Sequence, residues 1–219
     1  MKNLLYNTQP NQIHGNGFAK RKPLWQTFVR NRNLLPPLDN DAPNLVVCCY
    51  NTAKGSILQT HCRDNGVEVL NLATVGIRYE KWNRYKMLIE YCKTTTFPLV
   101  LFVDAADSLL VGKLSNLTKV FEERGCELLF SAEKNHFPAR CPTKEFEQAH
   151  AKAPYCYLNA GGCVGKAEFI AYLDTEWKPV EDQGWCKSLY QNYYPKIQVD
   201  DSCRAFQCLY GVGSEELCI

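Results

Sequence analysis

Two aspartates, Asp104 and Asp107, stand three residues apart directly after the uninterrupted apolar run Leu99-Val100-Leu101-Phe102-Val103. Carboxylates this close repel each other unless a cation lies between them. A hard divalent ion suits the position, because it takes oxygen ligands and can be shared with substrate phosphates. The competing reading is that Asp104 closes a strand and Asp107 caps the next turn. A second cluster lies near the start of the chain, His14-Gly15-Asn16-Gly17, with Lys20 three residues beyond. Two glycines let the backbone fold tightly and turn its amides toward a phosphate or metal-phosphate group. An ordinary Asn-Gly turn would carry the same residues. Glu133 ends an apolar segment, and Asp182 follows Glu181 at a helix start. Both are acids able to orient a hydroxyl or accept its proton, although acids at a helix start also favour the helix dipole. Between them, Leu158-Asn159-Ala160-Gly161-Gly162 offers small residues where a bulky ligand can approach the backbone.

These groups need a frame to hold them. The five-residue apolar run reads as a strand buried on both faces of a parallel sheet, and open α/β sheets bind ligands at the carboxyl ends of such strands. Around it the pattern alternates. Leu45 to Tyr50 predicts a strand, the segment from Asn51 turns into a helix ending near Gly66, and Val67 to Leu72 predicts a second strand. Tyr79 to Lys93 predicts a helix with Trp82, Tyr85, Leu88, Ile89 and Cys92 on one face. Ser115 to Arg124 predicts a helix stopped by Gly125, and Glu127 to Ser131 another strand. This order implies an α/β fold with a parallel sheet covered on both faces. Further on, helices are expected over Ala167 to Trp177 and from Glu181, and strands over Lys196 to Val199, Arg204 to Leu209 and Glu216 to Ile219. Ahead of the alternation, Asn3 to Thr8 reads as a strand, Trp25 to Val29 as a helix, and the proline-rich run to Pro43 as a linker.

A chain of 219 residues, 46% hydrophobic and 22% charged, is large enough for one α/β domain with a real core. The formal net charge of +2 gives no global case for nucleic acid or membrane as partner. The basic residues from Lys20 to Arg32 are local, reading either as a solvated face or as a site for a phosphate-rich acceptor. No apolar run reaches the length of a membrane span, and Met1 to Tyr6 is too short and too soon polar for a signal peptide, so a cytoplasmic chain without membrane contact is expected. The 12 cysteines include no Cys-x-x-Cys pair, which argues against structural zinc. Reduced, buried thiols are the expectation, with Cys141 and Cys156 the one loop pair that could join.

Five segments occur in order: Phe102-Val103-Asp104-Ala105-Ala106-Asp107, Phe130-Ser131-Ala132-Glu133, Leu158-Asn159-Ala160-Gly161-Gly162, Asp182-Gln183 and Cys203-Arg204-Ala205-Phe206-Gln207. Together they resemble the glycosyltransferase domain of procollagen lysyl hydroxylases and its stand-alone microbial and viral relatives, over roughly Leu45 to Gly211. The resemblance implies a GT-A, Rossmann-like α/β fold with a mixed, mostly parallel central sheet, a UDP-hexose donor, and Mn²⁺ or Mg²⁺ held by Asp104 and Asp107. It sets Glu133, Asn159 and Asp182 around the sugar and acceptor, with Gly161 and Gly162 and also Thr52 on the donor. The family has an aromatic between its two aspartates that stacks on uracil, where this chain has Ala106.

The family's His-Gly-Asn-Gly-Pro-Thr-Lys stretch is similar to His14-Gly15-Asn16-Gly17-Phe18-Ala19-Lys20. The resemblance makes His14 a third metal ligand and gives Gly15, Asn16, Gly17 and Lys20 to the donor phosphates. In the family this stretch follows the Cys-Arg-x-Phe-Gln strand, whereas here it precedes everything else, so the order reads as a circular permutation. On that reading residues 1–219 form a single domain, with 1–34 the permuted segment, 35–43 a linker and 44–219 the nucleotide-sugar-binding core. The terminal segments should then pair antiparallel, and His14 should lie beside Asp104 and Asp107.

The implied activity is metal-dependent transfer of a hexose, glucose or galactose, from a UDP-sugar to an acceptor hydroxyl, with Glu133 and Asp182 as the catalytic acids. The acceptor is open between protein and modified DNA, the latter as in a viral or microbial enzyme glucosylating hydroxymethylated bases. A non-catalytic nucleotide-sugar-binding module is the alternative from another class. A phosphohydrolase of similar fold would want its second acid two residues after the first, and here the spacing is three.

Overall fold

The computed structural model of the chain describes residues 1–78, 80 and 83–218. In order its elements are β1 (Lys2–Asn3), β2 (Gln12–His14), α1 (Pro23–Arg30), β3 (Leu45–Cys49), α2 (Ile57–Asp64), β4 (Leu70–Asn71), α3 (Asn83–Cys92), β5 (Leu99–Val103), β6 (Ser108–Leu110), α4 (Leu114–Arg124) and β7 (Leu128–Glu133). There follow α5 (Lys144–His150), β8 (Tyr157–Lys166), α6 (Ala167–Tyr172), α7 (Asp182–Tyr193), β9 (Ile197–Val199), β10 (Phe206–Cys208) and β11 (Leu217–Cys218).

Six strands make the central sheet in the order β4-β3-β5-β8-β7-β9. All are parallel except β8, which runs antiparallel to both neighbours. The alternation accounts for the parallel strands, and the antiparallel β8 makes the sheet the mixed, mostly parallel one that the resemblance implies. Side chains of β5 alternate between two apolar layers. Val100 and Phe102 enter the layer shared with α3, α6 and α7, while Leu101 and Val103 enter the one shared with α2 and α4. A strand buried on both faces has no polar side to offer, which is why the run is uninterrupted. Each such side chain stabilises the fold by about 1.5–3 kcal/mol. Gly125 takes the left-handed conformation, φ 62°, at the end of α4, as a glycine stop should.

A second sheet, β10-β2-β6, has β2 at its centre, parallel to β10 and antiparallel to β6. The two ends of the chain meet in a third. β1 pairs antiparallel with β11, Lys2 opposite Cys218 and Asn3 opposite Leu217, and Leu4 N–H donates to Glu216 O at 2.8 Å. The expected antiparallel contact of the terminal segments is therefore present.

Several local expectations change. The strand foreseen over Asn3 to Thr8 stops at Asn3, because the Asn3 side chain accepts from Tyr6 N–H at 3.0 Å and Asn7 adopts φ 59°, turning the chain back. The Val67 to Leu72 strand shrinks to two residues at the sheet edge, where Asn71 Oδ1 accepts from Asn51 N–H at 2.9 Å and Ala73 N–H at 3.2 Å and ends the ladder. Residues 35–43 are docked, not a free linker. Leu35, Leu38 and Ala42 are buried, and Asp39 exchanges backbone bonds with Gly112 and Leu114. The foreseen helix over Ala167 to Trp177 tightens into a 3₁₀ turn at Leu173–Glu176. Trp82, placed on the α3 face by periodicity, lies outside the described residues, as does Ile219. Cys141 and Cys156 are free thiols, like the other cysteines, and Cys218 alone is exposed.

Candidate active site

Asp104 sits where β5 ends, and Asp107 immediately precedes β6. His14 ends β2 and stands opposite Ser108 in the β2–β6 ladder, so the small sheet carries His14 to the carboxyl edge of the large one. Gly15 N–H fastens the join by donating to Asp107 O at 2.8 Å. His14 Nε2 is 3.3 Å from Asp104 Oδ2 and 3.4 Å from Asp107 Oδ1. One donor atom from each of the three falls within 4.8 Å of the others, as a metal ion requires. Lys20 Nζ lies 3.1 Å from Asp107 Oδ2.

An irregularity in β8 completes this corner. The β7–β8 register jumps from Phe130 opposite Cys163 to Ser131 opposite Asn159, and the surplus residues of β8 bulge toward the aspartates. Gly161 O accepts from Asp104 N–H at 2.9 Å and from Gln12 Nε2 at 3.1 Å. A β-carbon on Gly161 would collide with His14 Cε1 and stand 2.8 Å from Asp104 Oδ2. Gly161→Ala is accordingly expected to push His14 out of register at a cost of about 1–3 kcal/mol, weakening Mn²⁺ binding at least tenfold in a calorimetric titration. Unchanged affinity would remove the glycine from the metal corner.

Behind the trio lie the other acids. Glu133 is buried and fully engaged: Oε2 accepts from Asn16 Nδ2 at 2.9 Å, and Oε1 from Asn159 Nδ2 at 2.8 Å and Gln183 Nε2 at 2.9 Å. Asn16 is itself tied to the chain, its Oδ1 accepting from Leu209 N–H at 3.0 Å and Tyr210 N–H at 2.8 Å. Asp182 opens α7 and meets Arg84 Nε at 2.9 Å. The same guanidinium bonds Asp104 and the Ala160 carbonyl, so Arg84 bridges the metal corner and Asp182.

The charges answer to this crowding. Burial opposes a charge on His14, but hydrogen bonds to Asp104 and Asp107 overcome it and hold the imidazole well above its ordinary value. Burial would raise Asp104, yet Arg84 and His14 pull its carboxyl below the usual carboxylate range. Burial pushes Asp182 up against the pull of Arg84, and burial likewise raises Glu133 against its amide partners. Two oxygen donors and one imidazole, in a corner richer in acids than in bases, fit a hard divalent ion, which would take the place of the His14 proton.

A cavity of about 410 Å³ opens over these groups, lined by all three of the trio with Asn16, Gly17, Lys20, Glu133, Asn159, Gly161 and Asp182. Three residues expected at the donor fall outside its lining. Gly15 packs its α-carbon against the Trp25 ring, Gly162 packs against the Gln12 amide, and Thr52 lies on the loop after β3. The sequence reading missed Arg84, Gln12 and Gln183. The Asp182-Gln183 motif was the one signal that pointed toward Gln183.

The sequence model of the PLOD GT domain matches residues 69–218. Procollagen-lysine,2-oxoglutarate 5-dioxygenase of Drosophila melanogaster is 30% identical over 125 residues, covering 57% of this chain and 16% of that protein. The multifunctional procollagen lysine hydroxylase and glycosyltransferase LH3 of Homo sapiens is 29% identical over 106 residues, 48% of this chain and 13% of that one. The chain thus spans only a small part of these relatives' length. Among solved structures, glucosyl-3-phosphoglycerate synthase of M. tuberculosis has a TM-score of 0.44 at 12% identity, covering 88% of this chain and 78% of that one. With the match extending over 150 of 219 residues, the chain belongs to the family of PLOD glycosyltransferase domains.

Proposed function

We propose that the chain transfers a hexose, glucose or galactose, from a UDP-sugar to an acceptor hydroxyl with the help of Mn²⁺ or Mg²⁺. The convergence of His14 with Asp104 and Asp107 across 90 residues of sequence carries this reading. A bound divalent ion supplies charge neutralisation for a departing diphosphate. Lys20, half exposed and already paired with Asp107, is the fixed cation beside that leaving group. Asp182, held by Arg84 and the Gln183 N–H against three amides on Glu133, is the stronger choice of general base. Glu133, with both oxygens occupied by amides, acts by holding Asn16, Asn159 and Gln183 in place.

Release of UDP from UDP-glucose or UDP-galactose, dependent on added Mn²⁺ and abolished by EDTA, tests the reading. Activity that survives excess chelator would overturn it, and tight UDP binding without turnover on any acceptor would favour the non-catalytic module. Lys20→Ala is expected to weaken UDP binding by about 1.5 kcal/mol, the low end for a charge-assisted hydrogen bond given its exposure. Calorimetry showing no change would return Lys20 to the solvated surface.

We also read the chain as a circular permutation of the family order, with a hairpin opened between β11 and β1. The antiparallel pairing of the terminal strands supports this, as does a family match that begins after the His14 loop. A chain rejoined at its ends and opened within 35–43 should fold and bind Mn²⁺ alike; a rejoined chain that cannot fold counts against it. No described helix is long and apolar enough to cross a membrane. The free, mostly buried cysteines suit a reducing compartment such as the cytoplasm.

A further inference from the structure

The rim of the cavity differs in character from its acidic interior. Phe18 stands on the rim with 64% of its surface exposed, and the Arg21 guanidinium carbon lies 5.9 Å from its ring centre. Tyr210 is the second rim aromatic, with Lys22 Nζ 5.9 Å from its ring. From this rim α1 runs away from the cavity and ends at Arg30, about 12 Å along the helix axis. There a second cavity, of about 660 Å³, is lined by Arg30, Arg32 and His61 together with Asp64. Residues 1–38 contain six lysines and arginines and no aspartate or glutamate, although the whole chain is nearly neutral. Five of the six, from Lys20 to Arg32, lie on the segment that joins the two cavities.

A nucleotide-sugar donor does not account for this band. Its diphosphate is served by the metal corner and Lys20, and Arg30 and Arg32 lie a helix length beyond. A cationic track with an exposed ring, Phe18, and a partly exposed one, Tyr210, at one end is the arrangement that binds single-stranded nucleic acid, phosphates along the track and bases on the rings. The catalytic carboxylate, Asp182, is buried in the cavity, and a base still stacked within a duplex cannot reach such a position. We propose that α1 and its flanks guide a single-stranded nucleic-acid acceptor, whose hydroxyl-bearing nucleotide enters over Phe18 and Tyr210 while its backbone follows Arg21, Lys22, Arg30 and Arg32. This rests on the glycosyltransferase reading and names its acceptor class.

The test uses the full chain and a fluorescein-labelled single-stranded 15-mer, followed by anisotropy between 50 and 200 mM NaCl. Binding should weaken steeply with salt. Arg21→Glu and Arg30→Glu, both at exposed positions, should each weaken it at least tenfold at 50 mM NaCl and flatten the salt dependence. Mn²⁺-dependent UDP binding, measured separately, should be unchanged in both variants. Absent oligonucleotide binding, variants that bind like the parent, tighter binding of duplex, or equal competition by heparin fragments or polyglutamate would each overturn the proposal. Loss of Mn²⁺-dependent UDP binding in the parent chain would instead strike the glycosyltransferase reading beneath it.

Discussion

Asp107→Ala should lower Mn²⁺-dependent UDP release by 10² to 10³-fold or more while leaving the protein folded. Stabilisation of charge on a leaving group by one fixed partner is worth about 2.7–4 kcal/mol of the barrier, and Asp107 contributes both to the ion and to the setting of Lys20. Stability should fall by about 1–3 kcal/mol without loss of the cooperative melt, because Asp107 is buried and paired with His14 and Lys20 but packs in no apolar layer. Steady-state release with a thermal melt on the same sample decides the matter. Retained turnover would dismiss Asp107 as a ligand, and loss of turnover together with loss of the cooperative melt would mean the residue is structural.

Arg84→Met should have the largest effect on stability. Its guanidinium is buried among Asp104, Asp182 and the Ala160 carbonyl. Removing one partner of a buried charge pair leaves the others uncompensated, at about 3–5 kcal/mol. Urea unfolding in EDTA should show that loss. Saturating Mn²⁺ should restore part of it, and stabilise the variant more than the parent, because the ion offers Asp104 a replacement charge and binds only the folded chain. An Arg84→Met protein as stable as the parent in EDTA would contradict the bridging role assigned to it.

What was legible in the sequence was local or periodic. Leu99 to Val103 had to be a doubly buried strand, since five apolar residues in a row fit no half-exposed element. Its ending in Asp104 and Asp107 marked the ligand edge, and the five ordered motifs pointed to the family and so to His14. Gly125 declared its helix end through the one conformation it tolerates best. Other features depend on partners far along the chain. Nothing around Arg84 distinguishes it from a solvent-facing arginine of an amphipathic helix; only the approach of β8 and α7 surrounds it with Asp104, Asp182 and Ala160 O. Nothing around Glu133 says that three amides from three separate segments will occupy it. The apolar positions of 35–43 were hidden by their prolines, and the segment became a docked one through burial of Leu35, Leu38 and Ala42.

The sequence by itself therefore determined the parallel strands around β5, the binding edge and the chemical kinds of group gathered there. It did not determine β8, whose small residues read as a ligand approach and which pairs antiparallel between β5 and β7. The tertiary structure alone decided which of those groups stand together. The bulge in β8 and the close approach of Gly161 bring His14 within reach of the aspartates. The fold also gives Glu133 three amide partners and Asp182 the Arg84 guanidinium and the Gln183 N–H. The physical reason is that apolar patterning is written every few residues, whereas a carboxylate's environment is set by whichever charges and donors the fold brings against it.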